Sequence, residues 1–376
     1  MRALSLLIKP ASGNCNMRCK YCFYANVTEN REIENHGIMT IDTLEIIVKK
    51  TLEEAEDFCL FGFQGGEPML AGLDFFRALI DFEKKYNHNK VAIQHSIQTN
   101  GLCIDKAWAD FFKENDFLVG LSIDSTKHVH DSLRLDVAGN GTHLRCLEAA
   151  RLLKEVGVQF NILSVITKPL AMYPQKAYKF YERHKFHHIQ FIPCIDSWGE
   201  DESDNGYSLT PESYGKFLCE VFDLWYEDLV DGRYTSIRTF DNYAQILAGR
   251  PPENCAARGK CTPYPLIEAD GSVYPCDFYA LDDFLLGNIM IHSFSELLNS
   301  PAAKKFAAPT LIPDPECKEC PYFQLCRGGC RRDRDPSANP EGLLKRNRFC
   351  ESYKIFFHHA LPKMTHIAKT ILRRGN

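Results

Sequence analysis

Short apolar runs of strand length alternate with segments of helical period through the first half of the chain. Between the first two runs, Leu44, Ile47 and Val48 recur at the i, i+3, i+4 spacing of an amphipathic helix, which we expect over residues 42–57. The strand-like runs cover residues 4–10, 59–65, 91–99, 117–124, 158–167 and 188–195. This pattern predicts six βα units.

Repeated βα units restrict the fold to an α/β class with parallel strands and right-handed crossovers, either an open doubly wound sheet or a full or partial barrel. In each of these folds the functional residues lie at the C-terminal ends of the strands. Unusual segments do follow the predicted strand ends. They are a cysteine-rich loop after the first strand, GGEP at 65–68 after the second and QTNG at 98–101 after the third; SID at 122–124 lies in the fourth strand, at its end.

The pattern changes after residue 205. A helix expected over residues 211–231 leads into a segment that is richer in Cys, Pro and Gly and has little βα periodicity. We therefore predict two domains, with a βα domain at 1–234 and a cysteine-rich domain at 235–376.

Charge and hydropathy narrow the possible partners. The formal net charge of -5 is spread over the chain without a basic stripe, which argues against nucleic acid. No segment approaches the roughly 20 apolar residues of a membrane span. The N-terminus has only a short apolar run before Lys9 and Pro10, which is not an export signal. We therefore expect a cytoplasmic protein without a membrane partner.

Sixteen cysteines are more than a cytoplasmic chain of this length usually carries, and disulfides do not persist in a reducing compartment. Metal ligation is the expected use of most of them. Three lie between residues 15 and 22, and eight between residues 255 and 350. We expect the scattered remainder to be small buried apolar side chains; these are Cys59, Cys103, Cys146, Cys194 and Cys219.

The N-terminal cysteines are spaced C-x3-C-x2-C as Cys15, Cys19 and Cys22. A structural zinc site takes four ligands, so three thiolates without a nearby fourth are incomplete for zinc. A 4Fe-4S cluster held by three thiolates instead leaves one iron open to a substrate. This spacing, followed by an aromatic residue after the first strand, resembles the signature of the radical S-adenosylmethionine (SAM) family.

The resemblance implies a partial (β/α)6 TIM-like barrel in which the open iron binds SAM and cleaves it to methionine and a deoxyadenosyl radical. GGEP matches the family element after the second strand, which implies that Gly65 and Gly66 approach the methionine moiety. It also implies further SAM contacts, which are Tyr21, Ser122, Arg134 and, near the adenine, Ile195. Ile195 stands where the family usually has Leu, a mild change.

The eight C-terminal cysteines resemble the SPASM extension of peptide-modifying radical SAM enzymes. The resemblance implies two auxiliary 4Fe-4S clusters with every iron ligated, in a crossed order like that of two-cluster ferredoxins. The first set comprises Cys255, Cys261, Cys276 and Cys330, and the second comprises Cys317, Cys320, Cys326 and Cys350. A pair of zinc ribbons is the alternative, which the five- and three-residue spacings do not favour.

Within this family the chain most resembles the anaerobic sulfatase-maturating enzymes, through FQGGEP, NGYSL and DGSVYPCDFY. The resemblance implies oxidation of a Cys or Ser in a sulfatase Cys/Ser-x-Pro-x-Arg segment to Cα-formylglycine. Such oxidation needs a base for the thiol or hydroxyl proton. Asp277 adjoins the expected cluster ligand Cys276 and is our candidate.

Two other functions stay open at this stage. The first is a SPASM cyclase or crosslinker that acts on another ribosomal peptide, and the second is an electron-transfer protein without SAM chemistry. The maturase hypothesis implies two partners, an unfolded or nascent sulfatase segment and a reducing electron donor such as flavodoxin or ferredoxin. The sequence leaves the choice between Cys and Ser open.

Overall fold

A computed structural model of the chain describes residues 1–198, 205–338, 340 and 343–374. Its strands are β1 (Ala3–Ile8), β2 (Phe58–Phe63), β3 (Ala92–Thr99), β4 (Phe117–Ser122), β5 (Phe160–Ile166), β6 (His188–Pro193), β7 (Ser236–Ile237), β8 (Leu266–Ile267), β9 (Ser272–Tyr274) and β10 (Gly287–Asn288).

The α-helices are α1 (Phe23–Glu29), α2 (Ile41–Glu54), α3 (Leu73–Tyr86), α4 (Lys106–Glu114), α5 (Lys127–Leu133), α6 (His143–Val156), α7 (Lys168–Ala171), α8 (Pro174–Arg183), α9 (Pro211–Val230), α10 (Arg238–Leu247), α11 (Phe294–Asn299), α12 (Pro301–Ala307), α13 (Pro315–Lys318), α14 (Phe323–Cys326) and α15 (Cys350–Arg374). No helix in the described part of the chain is long and apolar enough to cross a membrane.

The chain packs as two compact units that interleave along the sequence. Unit 1 comprises Met1–Ser122, Arg134–Phe160 and Thr262–Phe306, and unit 2 comprises Ile123–Leu133, Asn161–Cys261 and Ala307–Asn376. The sequence-based domain boundary at residue 235 stays a prediction, because these units are defined by packing rather than by continuity of the chain.

Unit 1 is built on a sheet in which β8, β1, β2, β3 and β4 are adjacent and parallel. The register places Leu6 beside Phe61 and Phe61 beside His95. Strands β9 and β10 continue from β8 in antiparallel pairing. The parallel βα arrangement confirms the α/β class, and it places the loops that follow β1, β2 and β3 at one edge of this sheet.

Unit 2 contains β5, β6 and β7 in parallel pairing. Its longest helices, α9 and α15, pack against each other, and α10 packs against α15. Their contact is rich in aromatic rings, with Phe222 and Phe240 centred 5.3 Å apart and Phe240 and Phe356 centred 5.6 Å apart. The apolar burial of such rings is a large contribution to the stability of this unit.

The limits of the six long strands lie within two residues of those predicted, whereas β7 to β10 were not predicted. Each of these four strands is only two or three residues long. Their pairing depends on tertiary contacts, such as the parallel register of Leu266 with Leu7, that leave no periodic signal in the sequence.

Candidate active site

The N-terminal cysteine loop joins β1 to α1. Cys22 is the N-cap residue of α1, and its backbone N–H donates to the carbonyl of Cys19 at 3.1 Å. The thiols of Cys15, Cys19 and Cys22 are half-buried. No disulfide joins any of the cysteines, all of which lie in the described ranges. The loop therefore presents three thiols from one short segment.

The Cys15 sulfur lies among N–H donors that suit a thiolate ligand. The backbone N–H of Met17 donates to it at 3.4 Å, and the side-chain amide of Asn100 donates at 3.7 Å. Burial raises the pKa of the Cys15 thiol to about 11. The same thiol is a ligand only after it loses its proton, which a bound metal promotes. N–H groups aimed at sulfur are a means by which proteins tune iron–sulfur clusters, so the donor set fits a 4Fe-4S cluster.

The loop after β2 packs directly on the cysteine loop. The backbone N–H of Gly66 donates to the carbonyl of Ser12 at 3.0 Å, and that of Glu67 donates to the carbonyl of Asn14 at 2.7 Å. A Cβ at Gly66 would lie 2.0 Å from the Asn14 oxygen, and Gly65 has a φ of +121°. Both glycines are therefore needed for close backbone approach. In this structure the backbone that they approach is the chain's own cysteine loop.

We predict that Gly66→Ala lowers the stability of the protein and impairs cluster binding at Cys15. The added methyl group overlaps backbone that cannot move aside like a side-chain tip, which costs on the order of 3 kcal/mol. Chemical denaturation and iron analysis measure the two effects. Gly37→Ala is the control, because its φ of +76° strains the backbone while no atom lies within 4 Å of the added Cβ. Equal iron content in both variants would contradict this prediction.

Glu67 is fully buried and organises the ends of β2 and β3. Its carboxylate accepts hydrogen bonds from the hydroxyl of Thr99 at 2.9 Å and from the backbone N–H of Asn100 at 2.8 Å. Burial raises the pKa of Glu67 to about 7, against the lowering effect of these hydrogen bonds. The side chain of Asn100 in turn donates to Asn16 at 2.7 Å. Glu67 therefore fixes the amide that contacts the Cys15 sulfur.

Two predicted SAM contacts lie beside the second cysteine of the loop. The guanidinium of Arg134 is buried, with Nη1 3.9 Å from the Cys19 sulfur and its carbon 5.5 Å from the Tyr21 ring centroid. Ser122 is half-buried at the end of β4 in the same unit. Ile195 belongs to unit 2, where it follows β6 and is half-buried. Their roles toward SAM stay predictions.

Asp277 lies in unit 1, at the start of a short 3-10 helix that follows Cys276. The side-chain amide of Gln64 donates to Asp277 Oδ2 at 3.0 Å, and the hydroxyl of Tyr24 donates to the same oxygen at 3.5 Å. The Cys276 sulfur lies 3.4 Å from Oδ1. Burial raises the pKa of Asp277, while hydrogen bonds from Cys276 and Gln64 oppose the rise.

Tyr24 connects the candidate base to the cysteine loop. Burial raises its pKa well above the ordinary value, and the neighbouring Asp277, Cys22 and Cys276 raise it further. Neither Tyr24 nor Gln64 was given a role from the sequence. Tyr24 lies two residues after the last cysteine of the N-terminal loop and Gln64 lies inside FQGGEP, and these positions were the signal available for them.

The cysteines of unit 2 fall into two groups of neighbouring thiols. Burial raises the pKa of Cys330, and the neighbouring Asp333, Cys255 and Cys261 raise it further. Burial likewise raises the pKa of Cys326 to about 11, and its thiol neighbours are Cys317, Cys320 and Cys350. Cys276 belongs to unit 1. Within unit 2, these neighbouring thiols fall into the two sets expected from the sequence, and the assignment of each set to a cluster stays a prediction.

Among the residues that the structure describes, no three His, Cys, Asp or Glu side chains are grouped closely enough to hold a single metal ion. A four-iron cluster places each thiolate on a different iron, so its ligands need not converge on one point. Of the scattered cysteines, Cys59, Cys146 and Cys194 are buried as predicted, whereas Cys103 and Cys219 are half-buried.

The chain matches two family models. The model of the radical SAM superfamily matches residues 10–169, which include the N-terminal cysteine loop and GGEP. The model of the SPASM iron–sulfur cluster-binding domain matches residues 261–321.

Relatives match over the full length. A cysteine-type anaerobic sulfatase-maturating enzyme from Clostridium novyi (strain NT) is 47% identical over 374 residues, which covers 100% of both chains. A serine-type enzyme from Bacteroides thetaiotaomicron is 29% identical, over 99% of this chain and 93% of the relative. The solved structure of native anSMEcpe with bound AdoMet and Cp18Cys peptide is 44% identical, with a TM-score of 0.94 over 98% of this chain and 99% of that one.

Proposed function

Because this chain belongs to the anaerobic sulfatase-maturating enzymes of the radical SAM superfamily, we propose that it oxidises a cysteine in a sulfatase Cys-x-Pro-x-Arg segment to Cα-formylglycine. The observation that carries this proposal is the placement of Asp277. Its carboxylate is held beside Cys276 by Gln64, in the same unit as the three-cysteine loop.

The protein uses 4Fe-4S clusters and SAM as cofactors. We assign Cys15, Cys19 and Cys22 to the cluster with the open iron, and the two sets of four given above to the auxiliary clusters. When bound, SAM and the clusters supply a radical that takes a hydrogen atom from the substrate Cβ and an acceptor for one electron. The N–H groups of Met17 and Asn100 donate hydrogen bonds to the sulfur of Cys15, one of these proposed ligands.

Asp277 supplies the base. Its carboxylate takes the proton from the substrate thiol, so that loss of one electron from the carbon radical gives a neutral thioaldehyde. Gln64 and Tyr24 both donate to Oδ2, which orients the carboxylate and directs Oδ1 toward the side of Cys276. One peptide unit therefore separates the proton acceptor from a proposed ligand of the electron-accepting cluster.

Cysteine is the proposed target rather than serine. The cysteine-type relative is 47% identical and the serine-type relative only 29% identical, each over 99% or more of this chain. The solved relative with a bound peptide carries one described as Cp18Cys. These similarities also favour the maturase over a SPASM cyclase. We propose an extended or nascent sulfatase segment as the substrate and a flavodoxin or ferredoxin as the reducing partner.

A pair of peptides tests this function. Anaerobically reconstituted enzyme is given SAM, a reductant and either a Cys-x-Pro-x-Arg peptide or its Ser counterpart. We expect the Cys peptide to yield an aldehyde and to release sulfide, because a thioaldehyde is hydrolysed to an aldehyde. We expect turnover of the Ser peptide to be lower by about tenfold or more, since a hydroxyl is the weaker acid. A crosslinked peptide without aldehyde would instead identify a cyclase.

A further inference from the structure

Three charged side chains form a buried group in unit 1, the Lys9–Glu268–Arg31 triad. Lys9 Nζ and Arg31 Nη1 each lie 2.5 Å from Glu268 Oε1. The side chains of Lys9 and Glu268 are 0% exposed, and that of Arg31 is 1% exposed. Two cations therefore share one carboxylate in the interior.

The positions of these residues along the chain are informative. Lys9 directly follows β1 and begins the segment that carries the three cysteines, and Arg31 lies just beyond α1, at the end of that segment. Glu268 lies in the turn between β8 and β9, and β9 leads into Cys276 and Asp277. One carboxylate therefore joins both ends of the cysteine-bearing segment to the hairpin that carries the proposed base.

Stability alone does not account for the triad. Burying charges carries a desolvation penalty, and replacement of a buried ion pair or triad by apolar residues of similar size is often neutral or stabilising. Burial by itself raises the pKa of Glu268, but Lys9 and Arg31 outweigh it and lower that pKa to about 2. The carboxylate is thus ionised at neutral pH, and both neighbours contribute to its low pKa.

Lys9 also contacts the surroundings of the base. Its ammonium group lies 5.4 Å from the centroid of the Tyr24 ring, and the Tyr24 hydroxyl donates to Asp277. Its aliphatic stem fills the space beside Gly65, where a Cβ would lie 2.9 Å from Lys9 Cγ and Cε. A shift of Lys9 would therefore move both the Tyr24 ring and the turn that supports the cysteine loop.

We infer that the Lys9–Glu268–Arg31 triad positions Asp277 relative to the cysteine loop, so that hydrogen abstraction and proton removal act on the same substrate residue. Its members are positioning residues, because they act on the base through Tyr24 and through the β8–β9 hairpin. This inference rests on the proposed function, because the effect it predicts is a change in the number of formylglycines formed per deoxyadenosine released.

The principal test replaces the whole triad with apolar residues, as Lys9→Met, Arg31→Met and Glu268→Leu together. We expect this variant to keep its iron and its ability to cleave SAM, because Lys9→Met retains an aliphatic stem beside Gly65 and no cluster ligand is changed. The ratio of formylglycine to deoxyadenosine should fall about tenfold or more, because small misplacements of reacting groups are costly. Backbone amides of residues 268–279 should exchange hydrogen faster in the anaerobic holoenzyme.

Lys50→Met is the matched control. Lys50 on α2 donates to the carbonyls of Ile289 at 2.6 Å and His292 at 2.8 Å, so it also joins the C-terminal part of unit 1 to an N-terminal helix. We expect this variant to lose stability without a change in the product ratio.

Lys9→Gln leaves the pair of Arg31 and Glu268 in place and is the variant to use if the triple variant does not fold. It should lower the ratio, whereas Lys9→Arg should retain it.

A wild-type product ratio and wild-type amide exchange in the triple variant, or in Lys9→Gln if only that variant folds, would overturn the inference. The triad would then be a structural element only. Failure of the unmodified enzyme to form any aldehyde would instead reject the proposed function. In that case the exchange rates of residues 268–279 still decide whether the triad fixes the hairpin.

Discussion

Replacing Cys15, Cys19 and Cys22 together with Ala is expected to abolish SAM cleavage while about eight of about twelve irons per chain remain. The loss is complete because the open iron is held by these thiols alone in our assignment. The auxiliary clusters keep their own ligands. Cys255, Cys261 and Cys330 are neighbours in unit 2, as are Cys326 and the three thiols around it. Iron analysis and the yield of deoxyadenosine measure the two effects.

Cys103→Ala is the matched control for this experiment. The Cys103 sulfur accepts a hydrogen bond from the Asn16 side chain at 3.3 Å, so it adjoins the cysteine loop without being an assigned ligand. We expect this variant to retain about twelve irons and SAM cleavage. If SAM cleavage survived in the triple variant, the active cluster would have been assigned to the wrong cysteines. Stoichiometric zinc in place of iron would reject all three clusters.

Asp277→Asn is expected to lower formylglycine formation by a factor on the order of 100 or more. The amide keeps the size of the side chain and can accept from Gln64, but it cannot take the substrate proton. Iron content and SAM binding should persist. SAM cleavage should continue without matching product, because reductive cleavage does not itself need the base. Simultaneous measurement of aldehyde and deoxyadenosine separates these effects.

Asp270→Asn is the control for the loss of a carboxylate from the same hairpin. Asp270 lies in the turn between β8 and β9, where it accepts hydrogen bonds from the backbone N–H and hydroxyl of Ser272. We expect this variant to form formylglycine at close to the wild-type rate. A normal rate in Asp277→Asn would assign proton removal to another group and leave Asp277 a structural role beside Cys276.

The sequence predicts the long elements of this fold well because they carry a strong periodic signal. Helix α2 begins one residue earlier and ends three residues earlier than expected. Its start is set by the Thr40 side chain, which accepts from the N–H of Thr43, and its end by Ala55 in extended conformation. Such end effects depend on single residues that periodicity does not register.

In the candidate site, local motifs were likewise predictable from the sequence, whereas contacts between distant parts of the chain were not. The cysteines and GGEP are local motifs, so their resemblance to the family could be recognised from the sequence. The Lys9–Glu268–Arg31 triad was not predicted, because Glu268 is 259 positions from Lys9 and only the pairing of β1 with β8 brings them together. The contacts of Tyr24 and Gln64 with Asp277 were missed for the same reason, at separations of 253 and 213 residues.

The central claim is that this chain oxidises a substrate cysteine by removing a hydrogen atom from its Cβ. The most direct measurement uses a Cys-x-Pro-x-Arg peptide deuterated at Cβ of the cysteine, with anaerobic enzyme, SAM and reductant. Mass spectrometry then follows deuterium in the released deoxyadenosine alongside the peptide aldehyde. We predict that deuterium appears in deoxyadenosine in equal amount with the aldehyde. Aldehyde formed without this transfer, or deuterium transfer that yields only a crosslinked peptide, would contradict the account.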